Sequence, residues 1–561
     1  MKLNIVIFGT LLFILTSCQD FLEKYPLDAP TSATFCKTEN ELSYALTGAY
    51  NSLNYNPGTY AQGELYWDAA TDLVFSRGGY AISDAINLGI ATPTEGVFSG
   101  AWSQFYMTIQ RCNFILDNIV TARKTLDATF CDRIEGQARF LRAWNYNYLT
   151  QLYGDVPLVV TSMLTLDQSN VARSVKADVV KQIMVDLDFA ISKLPTAWTG
   201  NDIGRITMGA ALALKARVAL YNGQYDVAAT SAKTVMDLKV YQLSSDYGAL
   251  FQQAGKNSKE SIFQMNFNII TNKNMSAVVM GTRYGQGWSI ICPTQYLVDS
   301  YLCTDGKNIS ESPLFDPANP YENRDPRLKA SILVPGSWFG GVKYETNPDS
   351  LTTMKNVNGI DSPNGNLVKI TNQEVTNAYA SFTGYLFRKN YDETAYNSPS
   401  NGSDMPLMLI RYAEILLTYA EAKIELNQID QSVYDAINLI RRRVQMPDVP
   451  SSLTQGQFRQ VLRWERKIEF AGEGLRLFDI RRWKIAENVL EGPLPGRKNK
   501  AYWFNQGIPT FNQYGHPIYV NQTTIFKTIT PRHFDVTKCY LWAIPQKEID
   551  INKNMTQNQG Y

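Results

Sequence analysis

The chain has 561 residues, 45% of them hydrophobic and 12% aromatic, enough to bury a large core. Lys+Arg 53 against Asp+Glu 52 leaves a net charge of +1, without the concentrated basic face that nucleic-acid binding requires. Only two histidines occur, His516 and His533, with no His-x-x-x-His pair, no Gly-x-Ser-x-Gly and no phosphate-binding Gly-x-x-x-x-Gly-Lys-[Ser/Thr], so zinc hydrolases, serine esterases and P-loop enzymes lack their chemistry.

The amino terminus reads as a signal peptide, residues 1–17. Lys2 supplies the positive tip, and Ile5 to Leu15 is an apolar run of eleven residues, too short to cross a hydrocarbon core of roughly 30 Å as a helix. The run ends in Leu15-Thr16-Ser17-Cys18, which resembles the lipobox of bacterial lipoproteins. That resemblance implies cleavage before Cys18 and acylation of its thiol; two or more acyl chains hold a protein at a membrane firmly where one does not. Residues 18–30 are then a tether, extended around Pro26 and Pro30 because proline fixes φ and restrains its predecessor. The body spans 31–561. Its cysteines, Cys36, Cys112, Cys131, Cys292, Cys303 and Cys539, show no Cys-x-x-Cys spacing and support no zinc ribbon, so no metal and no cofactor is expected. They read as buried thiols, with one disulfide left open.

The body is read as all-α dominated. Ile134, Ala138, Leu141, Trp144, Tyr148 and Leu152 form one apolar stripe of a helix that Gly154-Asp155-Val156-Pro157 stops. Val179 to Leu194 predicts a second helix, ended by Pro195. Ala211, Leu214, Val218 and Tyr221 line a helix that breaks at Asn222-Gly223; Tyr225, Ala228, Ala232 and Val235 line the next. This pair resembles a tetratricopeptide-like hairpin, in which small alanines let two helices approach. Leu409, Ala413, Leu416, Ala420 and Ile424 predict another such helix, followed by an Asn427 turn, a helix with Tyr434, Ala436 and Ile437, and a third run from Phe458 to Ala471. Between these, residues 305–406 and 493–531 lose the helical period and become rich in Asn, Ser, Gly, Pro and Thr. They predict loop and short-strand insertions across the helical frame, where recognition is usually carried.

Several segments then resemble, in order, motifs of the SusD/RagB family. They are Ala138-Arg139-Phe140-Leu141-Arg142-Ala143-Trp144, Leu152-Tyr153-Gly154-Asp155-Val156-Pro157-Leu158, Asp325-Pro326-Arg327-Leu328, Ile410-Arg411-Tyr412-Ala413-Glu414, Glu465-Arg466-Lys467-Ile468-Glu469-Phe470 and Leu475-Arg476-Leu477-Phe478-Asp479-Ile480-Arg481-Arg482-Trp483. The resemblance implies a SusD-like fold with about four helix pairs and irregular insertions. It also implies an outer-membrane lipoprotein, exposed at the cell surface, that binds a nutrient, most often an oligosaccharide. Its implied partner is a SusC-type TonB-dependent β-barrel transporter, over which it acts as a lid. The charged residues of the motifs alternate with aromatics at helical spacing and read as guanidinium–carboxylate pairs between packed helices.

If the ligand is a glycan, flat aromatic rings on loops should stack on the C–H faces of sugars while polar side chains bond the hydroxyls. Trp102, Trp144, Trp464 and Trp483 fall on predicted helices and read as core. Trp288 in a glycine-rich loop, Trp338 in Pro335-Gly336-Ser337-Trp338-Phe339-Gly340-Gly341 and Tyr80 after Arg77-Gly78-Gly79 are the expected platforms, with Tyr284 as a fourth. Asp72, Arg77 and Asp84 are the expected polar partners. Capture of peptide or another non-sugar nutrient is the alternative. A more distant one is a glycoside hydrolase, which needs two carboxylates about 5 to 9.5 Å apart across a cleft.

Overall fold

The fold is that of a computed structural model, which describes residues 35–54, 66–80, 82–163, 165, 167–359, 365–391, 393 and 402–561. The signal peptide, Cys18 and the tether 18–30 lie outside the described residues.

Among the described residues, nine long helices form the scaffold: α1 (Glu39–Asn51), α2 (Gly96–Ala122), α3 (Ala128–Tyr153), α4 (Lys176–Lys193), α5 (Met208–Tyr221), α6 (Tyr225–Asp237), α7 (Tyr412–Glu425), α8 (Gln431–Arg443) and α9 (Gln455–Glu469). Local chemistry sets their ends. Thr38 and Glu41 close a capping box on α1, Thr454 and Gln457 do the same on α9, and Asp127 accepts the Phe130 amide to start α3. Gly154 ends α3 at φ 76°, a conformation costly for any residue with a Cβ.

Successive helices pack on one another: α2 on α3, α3 on α4, α5 on α6, α6 on α7 and α7 on α8. Ala211, Ala213, Ala216, Ala228 and Ala232 are fully buried where α5 meets α6, and their small side chains permit the close approach. No helix among the described residues is long and apolar enough to cross a membrane.

Short antiparallel pairs fill the spaces between helices. Val74–Ser76 pairs with Ile291–Pro293, Ser261–Met265 with Leu407–Arg411, Ile332–Leu333 with Leu386–Phe387, and Gly492–Lys498 with Phe526–Arg532. Trp338–Phe339, Val342–Lys343, Thr352–Asn356 and Leu367–Thr371 make one four-stranded sheet inside the 305–406 region. The helix expected from Leu409 begins only at Tyr412, because Leu407–Arg411 is extended and completes a two-stranded sheet with Ser261–Met265. Its alternating and continuous burial patterns overlap over so short a run, and pairing with a strand almost 150 positions earlier decides the outcome.

The motif charges build the interior. Arg142 meets Asp186 at 2.7 Å, Arg217 on α5 meets Glu414 on α7 at 2.6 Å, and Arg466 meets Asp479 at 3.0 Å. At the centre, Glu469 accepts from Arg411 and Arg443, both at 2.6 Å, and from Arg327 at 2.8 Å. Glu260, Glu465 and Glu473 supply the further carboxylates that these guanidiniums need. The six cysteines of the described residues are free thiols, and all but Cys539 are buried.

Candidate ligand-binding face

The strand Val74–Ser76 delivers a tight turn, Arg77–Gly79, to the surface. The Arg77 amide donates to the Ile290 carbonyl at 3.0 Å, which fixes the turn beside the loop that carries Trp288. Gly78 sits at φ 63° with open space where a Cβ would be, so glycine is there for its backbone conformation. One residue past the turn, the Tyr80 ring meets Trp288 edge-on, with centroids 6.1 Å apart and planes at 89°.

The Trp288 loop is built by close packing of backbone. A Cβ on Gly287 would lie 2.4 Å from the Gly281 Cα, so these glycines let two chain segments touch. They do not serve to let the ring swing outward, as a glycine-rich loop would suggest. Trp288 is half-buried, and its amide donates to the Val278 carbonyl at 2.7 Å.

A third segment completes the face. Arg77 donates from Nη1 to the Tyr379 carbonyl at 2.5 Å, and its guanidinium lies 5.2 Å from the Tyr379 ring centroid and 5.6 Å from that of Phe382. Phe382 also stacks on Phe75 at 6.2 Å. Tyr379 is 62% exposed and Phe382 37%, so these rings offer open area beside a fixed cation. Burial, with the Arg283 guanidinium nearby, lowers the Arg77 pKa. Tyr379 and Phe382 were missed by sequence reasoning. The available signal was the run Tyr379-Ala380-Ser381-Phe382-Thr383-Gly384-Tyr385, three aromatics within seven residues of the Asn-, Ser- and Gly-rich 305–406 region.

Trp338 belongs to the four-stranded sheet, and Tyr284, in the turn before Trp288, packs beside it. Tyr284 lines a small cavity with Phe339, Tyr344 and Glu374, and the Lys355 ammonium lies 5.4 Å from its ring centroid. The buried Glu374 accepts the Tyr284 amide on Oε1, while Oε2 has no hydrogen-bond partner among the described residues. Burial pushes its carboxyl up to about 7. Trp338, half-buried, pairs with Lys343 across a two-residue turn, Gly340-Gly341, in which both φ are positive. Side chains alternate along a strand, so Trp338 faces away from the cavity that Phe339 lines.

The other two expected polar partners, Asp72 and Asp84, differ in exposure. Asp72 is 2% exposed and paired with Arg476 at 2.9 Å; burial alone would raise its carboxyl, but Arg476 and His516 hold it well below the usual carboxylate range. It is a corrected expectation: a carboxylate committed to an interior guanidinium does not meet ligand. Asp84 is exposed and opens the short helix Asp84–Asn87, whose Asn87 accepts from Arg532 at 2.7 Å. Of the helical tryptophans, Trp102 and Trp144 are buried, whereas Trp464 and Trp483 are half-buried and donate to the Ser300 carbonyl and to Glu421, both at 2.7 Å. Among the described residues no group of three or more His, Cys, Asp or Glu could hold a metal ion.

A helical-repeat scaffold that carries an aromatic face on its loops defines a binding protein. The SusD family profile matches residues 248–561, and a profile described as "Starch-binding associating with outer membrane" matches residues 20–220. The chain belongs to the SusD family, whose members are non-catalytic glycan-binding proteins associated with the outer membrane, and it is not an enzyme. It is 24% identical over 514 residues to SusD-like protein P25 of Formosa agariphila, covering 87% of this chain and 91% of that protein. A crystal structure of a SusD-like carbohydrate binding protein from Bacteroides fragilis superposes with a TM-score of 0.79 at 27% identity, covering 93% of this chain and 99% of that one. Surface glycan-binding protein A from Bacteroides thetaiotaomicron, solved with laminarihexaose, shares the fold at a TM-score of 0.66 and 19% identity, covering 92% of this chain and 99% of that one.

Proposed function

We propose that this protein captures an oligosaccharide on the face formed by Tyr80, Trp288, Arg77, Tyr379 and Phe382 and hands it to a SusC-type TonB-dependent β-barrel transporter, over which it acts as a lid. The observation that carries this reading is the convergence of three separate chain segments on one patch of half-exposed rings around a guanidinium fixed by a carbonyl. Rings of that kind stack on the C–H faces of sugars, and the remaining N–H groups of Arg77 suit hydroxyls. In this reading Cys18 carries the lipid that holds the protein at the outer membrane, with the body at the cell surface.

Calorimetric titration with laminarihexaose, maltohexaose and protein digests tests the ligand class. Trp288→Ala and Tyr379→Ala are each expected to weaken oligosaccharide binding by about 1–3 kcal/mol, the loss usual for a packed aromatic contact. Trp338→Ala, on the neighbouring sheet, measures how far the binding face extends. Binding of the digests with no response to any sugar would replace glycan by peptide. Cys18→Ala is expected to release the protein from the membrane fraction, and a β-barrel transporter should copurify with the wild-type chain.

A further inference from the structure

A second concave site lies where the two loop insertions meet. Tyr321 and Gly336 come from one insertion, Lys498, Trp503 and Phe504 from the other, and Glu345 closes an open cleft of about 200 Å³. Phe504 is 69% exposed, while Trp503 and Tyr321 are half-buried and both rings lie near the Lys498 ammonium. Nζ of Lys498 lies 5.2 Å from the Trp503 centroid and 5.6 Å from that of Tyr321.

The polar groups of this cleft are fixed and only partly used. Lys498 is 5% exposed and, among the described residues, donates one hydrogen bond, to Gln506 Oε1 at 3.1 Å. An ammonium carries three donors, so that single bond leaves two unused among the described residues. Burial pushes it down to about 8, so desolvating it beneath a ligand costs less than for an ordinary lysine. Glu345 accepts the Asn347 amide at 2.8 Å on Oε1, and its carboxylate keeps further acceptor capacity. Tyr385 donates to Gln295, so Tyr321 donates to Tyr385, and this chain of hydroxyls locks the Tyr321 ring in place.

We infer that the cleft between Trp503, Tyr321, Lys498 and Glu345 is a second saccharide-binding site, which takes a neutral sugar unit. The ligand class rests on the proposed function; the site itself rests on this geometry. Aromatic walls suit an apolar sugar face, and a buried donor opposite an acceptor suits neighbouring hydroxyls. The Glu345 carboxylate, with Glu322 also at the rim, repels an acidic sugar. The two sites share one stretch of chain: Tyr379 and Phe382 belong to the first face, and Tyr385 supports Tyr321 behind the second.

The test is fluorine NMR on the full processed protein labelled with 5-fluorotryptophan, with the Trp288 and Trp503 signals assigned by Trp288→Phe and Trp503→Phe. Laminarihexaose, maltohexaose and a galacturonic acid hexamer are the probes. A neutral hexaose is expected to shift the Trp503 signal saturably, also in the Trp288→Ala protein, and Lys498→Met should weaken that titration about tenfold, as loss of a hydrogen bond to a charged group implies. Should Lys498→Met fail to fold, Phe504→Ala at the exposed rim should still weaken it. A Trp503 signal that stays still while Trp288 responds overturns the second site and leaves the first standing. A response at Trp503 alone supports the cleft and withdraws the first face, and silence of both signals to every probe overturns both. A shift caused only by the galacturonic acid hexamer overturns the assignment to neutral sugar.

Discussion

Glu469→Ala is expected to lower the unfolding free energy by about 3–5 kcal/mol, the usual cost of removing one member of a buried ion network. Glu469 is fully buried and faces three guanidiniums, Arg327, Arg411 and Arg443, each within 2.8 Å. Without its carboxylate, Glu260, Glu465 and Glu473 must balance the same cations from fixed positions, and the charge left over sits where water does not reach. Urea unfolding of the two proteins measures the difference. The exposed pair Lys233–Asp237 provides the contrast, since breaking it with Lys233→Ala should leave the midpoint unchanged.

The pH dependence of that loss follows from the sign of the shift. Burial alone would raise the Glu469 carboxyl, but the three guanidiniums hold it well below the usual range. Its contribution is therefore complete above the pKa of an unfolded glutamate and disappears only as pH falls through the depressed folded value. The gap between wild type and Glu469→Ala should be flat from about pH 6 to 8 and close in acid. A gap that instead grows in acid would contradict an ionised Glu469.

Glu374→Gln should show the opposite trend. This carboxyl is raised from 4.5 to about 7 by burial, and the two amide donors of Arg283 and Tyr284 offset only part of that. The folded state therefore favours the neutral acid; its contribution is complete below the unfolded pKa and is lost as pH rises through about 7. A displacement of this size is worth about 3 kcal/mol, so Glu374→Gln should overtake wild type in stability by up to that amount between about pH 5 and pH 9. The carboxamide oxygen of the variant would still accept the Tyr284 amide, which keeps the loop in place while removing the titration. Unfolding curves at the two pH values decide the matter; a wild type that gains on the variant as pH rises would refute it.

The helices were legible because their causes are local. The Asn222-Gly223 break between α5 and α6 and the Gly154 stop on α3 lie within a few residues of the structure they set. The apolar stripe from Ile134 to Leu152 marks the buried side of α3, and the alanines of α5 and α6 mark a close helix contact. The start of α7 was misread because Leu407–Arg411 is claimed by a strand far away in the chain.

The candidate site was legible in part. Arg77, Tyr80 and Trp288 could be picked out as polar and aromatic residues flanked by glycines, and the structure brings them together. The reason for the glycines was different, since Gly281 and Gly287 serve contact between backbones. Asp72 reads as a ligand partner because its true partner, Arg476, stands 404 positions away, and Tyr379 and Phe382 lie about 300 positions beyond the Arg77 they flank.

By itself, the sequence determined the helical scaffold, the family and the charged motifs that tie helix to helix, because periodicity, capping and residue type act over a few positions. Tertiary structure alone decided which carboxylates are sealed inside and which rings share a surface. Those outcomes depend on pairings between segments hundreds of residues apart, where desolvation and contact, rather than local preference, select the arrangement.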